Sequence, residues 1–177
     1  MSTIPILVEL ERPGGALCRF RPTLRGGERE ARKLTTIHEL HEWLYTEDGI
    51  GMPRLKANIR AHLGVFVRGE PIDDLDFMKR VEDRRRRASR FSHGVWSISP
   101  RFNPQYRLFG YFAITDWFVA LTKSSRDDLA KSDARWHAEI DRCGEAWRSL
   151  FPNRDPWAGD HLQDYVSRNA EKRDDRW

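Results

Sequence analysis

The stretch YRLFGYFAITDWFVALTK, Tyr106 to Lys123, constrains the fold more than any other part of this chain. It holds most of the continuous apolar sequence of an otherwise polar protein, and Thr115-Asp116 divides it into two arms. Side chains alternate along a strand. Arg107, Phe109 and Tyr111 therefore share one face, and Tyr106, Leu108 and Phe112 the other. Trp117, Val119 and Leu121 likewise oppose Phe118, Ala120 and Thr122. Both faces are largely apolar, so the arms read as a central strand pair covered on both sides. Arg107 opens the run and Lys123 closes it, which sets a cation at each strand end.

The flanking sequence extends this unit. GVWSISPRF, followed by a turn at Asn103-Pro104, adds a strand, so Val95 to Lys123 is predicted as an antiparallel meander. Ser125 to Asp128 is predicted to cap a long helix. Trp136, Ile140, Cys143, Trp147 and Leu150 then recur at helical spacing until Pro152 ends the pattern. Upstream, IPILVELERPGGALCRFRP reads as a β-hairpin, and Arg25 to Lys33 as a charged loop. Thr36-Ile-His-Glu39 has the form of a capping box ahead of Ile37, Leu40, Trp43 and Leu44. A second helix begins at Pro53, carries Leu55, Ile59 and Leu63, and is expected to stop at Gly64. A third is expected with Leu75, Met78 and Val81 inward.

The fold class expected is therefore α+β: the meander at 95–123 packed against helices, with an N-terminal β-hairpin and a helical pair. The organisation expected is an N-terminal hairpin and helical segment (1–68), an α+β core (69–152) and a polar C-terminal tail (153–177), the last part frayed or weakly helical.

Composition narrows the function classes. The chain has 177 residues, of which 39% are hydrophobic and 33% charged. No window approaches the roughly 20 apolar residues that a spanning helix needs. With no basic, apolar leader at its start and two isolated cysteines, Cys18 and Cys143, it reads as a cytoplasmic protein with reduced thiols and no membrane partner. The net charge is +4, a mild bias towards polyanions. Its distribution says more. Arg84, Arg85, Arg86, Arg87 and Arg90 cluster in DRRRRASRF, and Phe91, His93 and Trp96 follow. Cations interleaved with aromatic rings suit nucleic-acid binding; a solvated helix C-terminus is the plainer alternative. His93 is a candidate acid or base near the meander.

Other signatures are missing. TIHELHEW spaces His38 and His41 one residue too closely for a zinc-protease helix, and no third ligand is evident. There is no phosphate loop, nucleophile elbow or C-x-x-C pair. No metal or cofactor is expected.

The segments VWSISP and YRLFGYFAITDWFVALTKSSRDDLAKSDARWHAEIDRC are similar to the C-terminal half of the RelE/ParE-like toxin superfamily, particularly its HigB-type and phage-derived members. The similarity runs from Val95 to Cys143. It reaches back to about residue 72 if the helix with Leu75 and Met78 stands for the family's preceding helix. By that resemblance, Arg107 matches a strand arginine that contacts the scissile phosphate. Lys123 matches the first lysine after the last strand, and Arg101 is a looser match. The family's paired lysine is here KSS. The chemistry implied is metal-free cleavage of RNA, ribosome-bound mRNA among the targets, by attack of a ribose 2′-OH on the neighbouring phosphate. Arg84 to Arg87 and Arg90 would hold the backbone, and a cognate antitoxin would be the protein partner. ParE-like members share the fold without cutting RNA. The alternative is thus a non-catalytic module of phage or mobile-element origin that binds nucleic acid or protein. A further option is DNA binding through the helix pair from Trp43 to Leu63.

Overall fold

The two arms of the hairpin form the centre of a six-stranded sheet in a computed structural model. It describes residues 3–46, 52–73, 77–81, 94–100 and 102–171. In chain order the elements are α1 (Ile4–Leu10), β1 (Leu17–Arg19), β2 (Lys33–Ile37), α2 (His38–Tyr45), α3 (Met52–Arg68), β3 (Ile72–Asp73) and β4 (Met78–Arg80). They continue with β5 (Trp96–Ile98), β6 (Tyr106–Ile114), β7 (Trp117–Ser125), α4 (Arg126–Leu129), α5 (Asp133–Leu150), α6 (Leu162–Tyr165) and β8 (Ala170–Glu171). The sheet order is β1-β2-β7-β6-β5-β4. Only β2 and β7 are parallel, and β3 and β8 form a separate parallel pair. The fold is α+β, with the predicted meander as β5, β6 and β7.

Both faces of the sheet are covered. On one, Leu108, Phe112, Phe118 and Ala120 pack against α2, α3 and the segment around α6. On the other, Phe109, Tyr111, Val119 and Leu121 pack against α5, with Leu7 of α1 and Leu129 of α4. The first is the α3 face and the second the α5 face. The predicted α5 stripe is the contact: Ile140, Cys143 and Trp147 are buried, and Trp136 and Leu150 flank them. Ser125 caps α4, accepting the Asp128 backbone N–H at 3.1 Å, and the chain breaks before α5 begins at Asp133.

Several local expectations are corrected. The first arm of the N-terminal hairpin is the helix α1. Pro5 sits in its first turn, where a missing N–H costs nothing. Ile6, Leu7 and Leu10 meet the sheet at helical spacing, while Ile4 and Val8 stay exposed. The antiparallel partner of β1 is β2, in what was read as loop and capping box. Thr36 is paired in the sheet, so α2 starts after Ile37 without a side-chain cap.

Gly64 does not end the second helix. α3 runs on to Arg68 and stops at Gly69, whose φ of +75° suits glycine. A Cβ on Gly64 would stand 2.8 Å from the Arg68 guanidinium, so the missing side chain makes room for that cation. Of the expected third helix, residues 74–76 and 82–93 lie outside the described residues. Met78 to Arg80 is a strand paired with β5, with the Met78 side chain in the α3-face core. After Pro152, Leu162, Tyr165 and Val166 are buried in that same core. Among the described residues, no helix is long and apolar enough to cross a membrane.

Candidate nucleic-acid interface

The start of β6 and the end of β7 form one end of the sheet, and Gln105 and Arg126 close it. The Arg126 backbone N–H donates to the Gln105 carbonyl at 2.8 Å, and its guanidinium to the Gln105 side-chain oxygen at 2.6 Å. Arg107 is the next cation inward. It belongs to the α5 face, where it is partly buried. Its guanidinium donates to the Ser99 hydroxyl at 2.8 Å and reaches the Ser97 hydroxyl at 3.4 Å. It also lies 5.3 Å from the centre of the Trp136 ring on α5. The edge-to-face contact of Trp136 with Phe109 fixes that ring in turn.

No carboxylate pairs with Arg107 among the described residues. Burial, and then the like charge of Arg126, pull its pKa below the ordinary guanidinium value. An arginine remains charged under such a shift. The outcome is a positive group already stripped of part of its water, held between an indole and two hydroxyls, with a second arginine adding to its field. Such a group favours an anion that can accept two parallel hydrogen bonds, which is the geometry of a phosphate.

Lys123 lies at the same end of the sheet but on the opposite face. The register explains this. Phe109 pairs with Thr122 and Gly110 with Ala120, which leaves Leu121 as an extra residue in β7. A bulge of this kind breaks strict alternation. Leu121 is buried on the α5 face, and Ser124, three positions on, is also there, its hydroxyl donating to Glu139 of α5 at 2.6 Å. Lys123 therefore turns to the α3 face. Its ammonium sits 4.9 Å from the centre of the Trp43 ring on α2.

Arg107 and Lys123 are thus brought to one sheet end without sharing a surface. The other candidates, His93, Arg101, Arg84, Arg85, Arg86, Arg87 and Arg90, lie outside the described residues.

Sequence reasoning missed the partners of Arg107. Ser97 and Ser99 alternate along β5 and its continuation, and this is the only signal that would have placed them beside an arginine of the neighbouring strand. It also missed a thiol–imidazole contact. Cys18 Sγ lies 3.2 Å from His38 Nδ1, and His38 Nε2 is 2.6 Å from the Gly15 carbonyl. A carbonyl only accepts, so Nε2 carries the proton and Nδ1 is left to accept from the thiol. Burial, and then the charge of Glu42, push the Cys18 pKa up, which keeps it a thiol. Among the described residues, no group of three or more His, Cys, Asp or Glu side chains is arranged to hold a metal ion.

No protein-family model, curated protein or solved structure matches this chain.

Proposed function

We propose that this chain is a toxin-like RNA-binding protein whose main contact is an RNA phosphate on Arg107. The observation that carries the reading is the Arg107 cradle: a partly buried guanidinium between Ser97, Ser99 and Trp136, with Arg126 nearby and no carboxylate partner among the described residues. The resemblance of Val95 to Cys143 to ribonuclease toxins points to the same side chain. Metal-free cleavage needs several cations gathered around one phosphate. The turn of Lys123 to the other face favours binding without cleavage.

The test is fluorescence anisotropy of an end-labelled single-stranded RNA against salt concentration, with wild type and Arg107→Ala, followed by analysis of the same RNA on a gel. The expected result is binding that weakens steeply with salt, a shallower slope in the variant, and RNA left intact. Fragments ending in a 2′,3′-cyclic phosphate, lost in the variant, would establish the nuclease instead. Affinity that is indifferent to salt and to Arg107 would overturn the RNA reading.

A further inference from the structure

The face opposite Arg107 presents an aromatic pair. Trp43 of α2 and Tyr106, the first residue of β6, have ring centres 5.1 Å apart. Both pack against the α3-face core yet are only partly buried. Two ammonium groups flank the indole. Lys56 Nζ is 5.7 Å from its centre and Lys123 Nζ 4.9 Å. These lysines differ in kind. Lys56 is 1% exposed and donates to the Thr46 carbonyl at 2.7 Å, so its charge is fixed in the fold. Lys123 makes no ion pair among the described residues and holds the ring only through its charge, on a stem of four methylenes that can swing away.

Backbone register joins this patch to the Arg107 cradle. Tyr106 directly precedes Arg107, and Leu108, which follows it, pairs with Lys123. A chain laid over this end of the sheet therefore meets Arg107 on one side and Trp43, Tyr106 and Lys123 on the other. Aromatic rings interleaved with cations match a polyanion whose bases are free to stack. A duplex keeps its bases stacked inside and could offer only its phosphates.

We propose that Trp43 and Tyr106 form a base-stacking subsite for single-stranded RNA, so that one strand crosses the end of the sheet between this subsite and Arg107. The inference rests on the RNA reading above and deepens it. A base displaces the Lys123 ammonium from the indole, and Lys123 then meets the phosphate beside that base. The protein reads the strand as unpaired and not by sequence, because every base has a face to stack.

The test compares two probes on wild-type protein at fixed salt: an oligouridine of about 10 nucleotides, within the usual footprint of such sites, and an abasic strand of the same length and charge. The oligouridine is expected to bind about tenfold more tightly, the effect of roughly one stacked base. Trp43→Leu and Tyr106→Leu keep apolar packing and should each close that gap. Arg107→Ala should weaken both strands by the same factor and leave the gap open. Equal affinity of wild type for the two strands would overturn the stacking subsite while leaving a phosphate on Arg107. So would a gap that survives both leucine variants. Failure of wild type to bind either strand, even at low salt, would overturn the RNA reading and the subsite together.

Discussion

Arg107 and Lys123 are joined through Leu108, which follows the arginine in β6 and pairs with the lysine in β7, yet the two cations face opposite sides of the sheet. The extra residue at Leu121 causes the separation. Without it, Lys123 would share the face of Leu121 and Arg107. With it, one cation is set on an indole from α5 and the other on an indole from α2.

Arg107→Lys tests whether charge or shape matters in the cradle. Lysine keeps the charge but has no planar fork with which to meet the indole and the hydroxyls together. Affinity for single-stranded RNA is expected to fall by about tenfold, the lower end for hydrogen bonds to a charged group. Anisotropy titration measures it. A lysine variant that binds like wild type would show that Arg107 acts as a point charge.

Arg32 is 2% exposed and ties three segments together. Its guanidinium donates to the carbonyls of Glu70 at 3.1 Å and Phe66 at 3.3 Å, and to that of Arg168, with Asp116 3.9 Å away. Arg32→Ala would strand those acceptors inside the protein. The expected cost is about 3–5 kcal/mol in urea unfolding. A loss below about 1 kcal/mol, the scale of a single ordinary hydrogen bond, would mean that water replaces the guanidinium.

Gly110 stands where β6 passes the bulge. A Cβ there would meet the Val119 carbonyl oxygen at 2.0 Å, and backbone cannot move aside as a side chain can. Gly110→Ala is expected to destabilise the sheet by about 3 kcal/mol or more, at or beyond the usual range for overpacking. Thermal melting followed by circular dichroism should show it, or the variant should fail to accumulate as folded protein. A melting curve like wild type would remove Gly110 as a requirement of the register.

Asp164 should make part of the stability depend on acid. Its carboxylate accepts the backbone N–H groups of Asp160 at 2.8 Å and His161 at 2.9 Å, and these bonds hold its pKa below the ordinary value. A carboxyl depressed in the folded state stabilises the protein above its unfolded pKa, near 3.9, and the benefit is lost as pH falls through the folded value. The melting temperature of Asp164→Ala should therefore lie below wild type at neutral pH, and the difference should close in acid. A difference independent of pH would assign the effect to packing.

Cys18 offers a titration with the opposite sign. Burial and Glu42 raise its pKa, so alkylation by iodoacetamide should rise with pH at a midpoint above the ordinary thiol value, and Glu42→Gln should lower that midpoint. Cys143 is fully buried and should not react in the folded protein. An unchanged midpoint in Glu42→Gln would show that burial alone sets the thiol.

The meander was legible because its two arms are short, rich in aromatic residues, apolar on both faces and separated by a turn, as a central strand pair needs. The α5 stripe was legible from its spacing. The rest depended on partners distant in sequence. Lys33 to Ile37 is short and partly polar, and becomes a strand because Trp117 to Ala120 lies beside it. Ile4 to Leu10 has the β-branched residues of a strand but folds as a helix, setting Leu7 on the sheet. Met78 and Val81 stand at helical spacing, and Met78 is nonetheless a strand residue because β5 has a free edge there. Within the site, Arg107 was visible as a cation at the mouth of an apolar hairpin. The side on which Lys123 falls was not, since counting residues cannot reveal a bulge.

The parallel pairing of β2 with β7 bears on how the protein is made. As the chain leaves the ribosome, β2 emerges long before β7, and α2, α3, β4 and β5 are complete before its partner exists. Until then the edge of β2 that takes β7 stays open, and Leu34, fully buried in the finished sheet, lacks the strand that carries its partner Phe118. Long-range pairing of this kind delays folding and leaves strand edges open to association. A nascent chain stalled before Trp117 should therefore bind chaperones or aggregate, and release into the folded state should coincide with emergence of the last central strand.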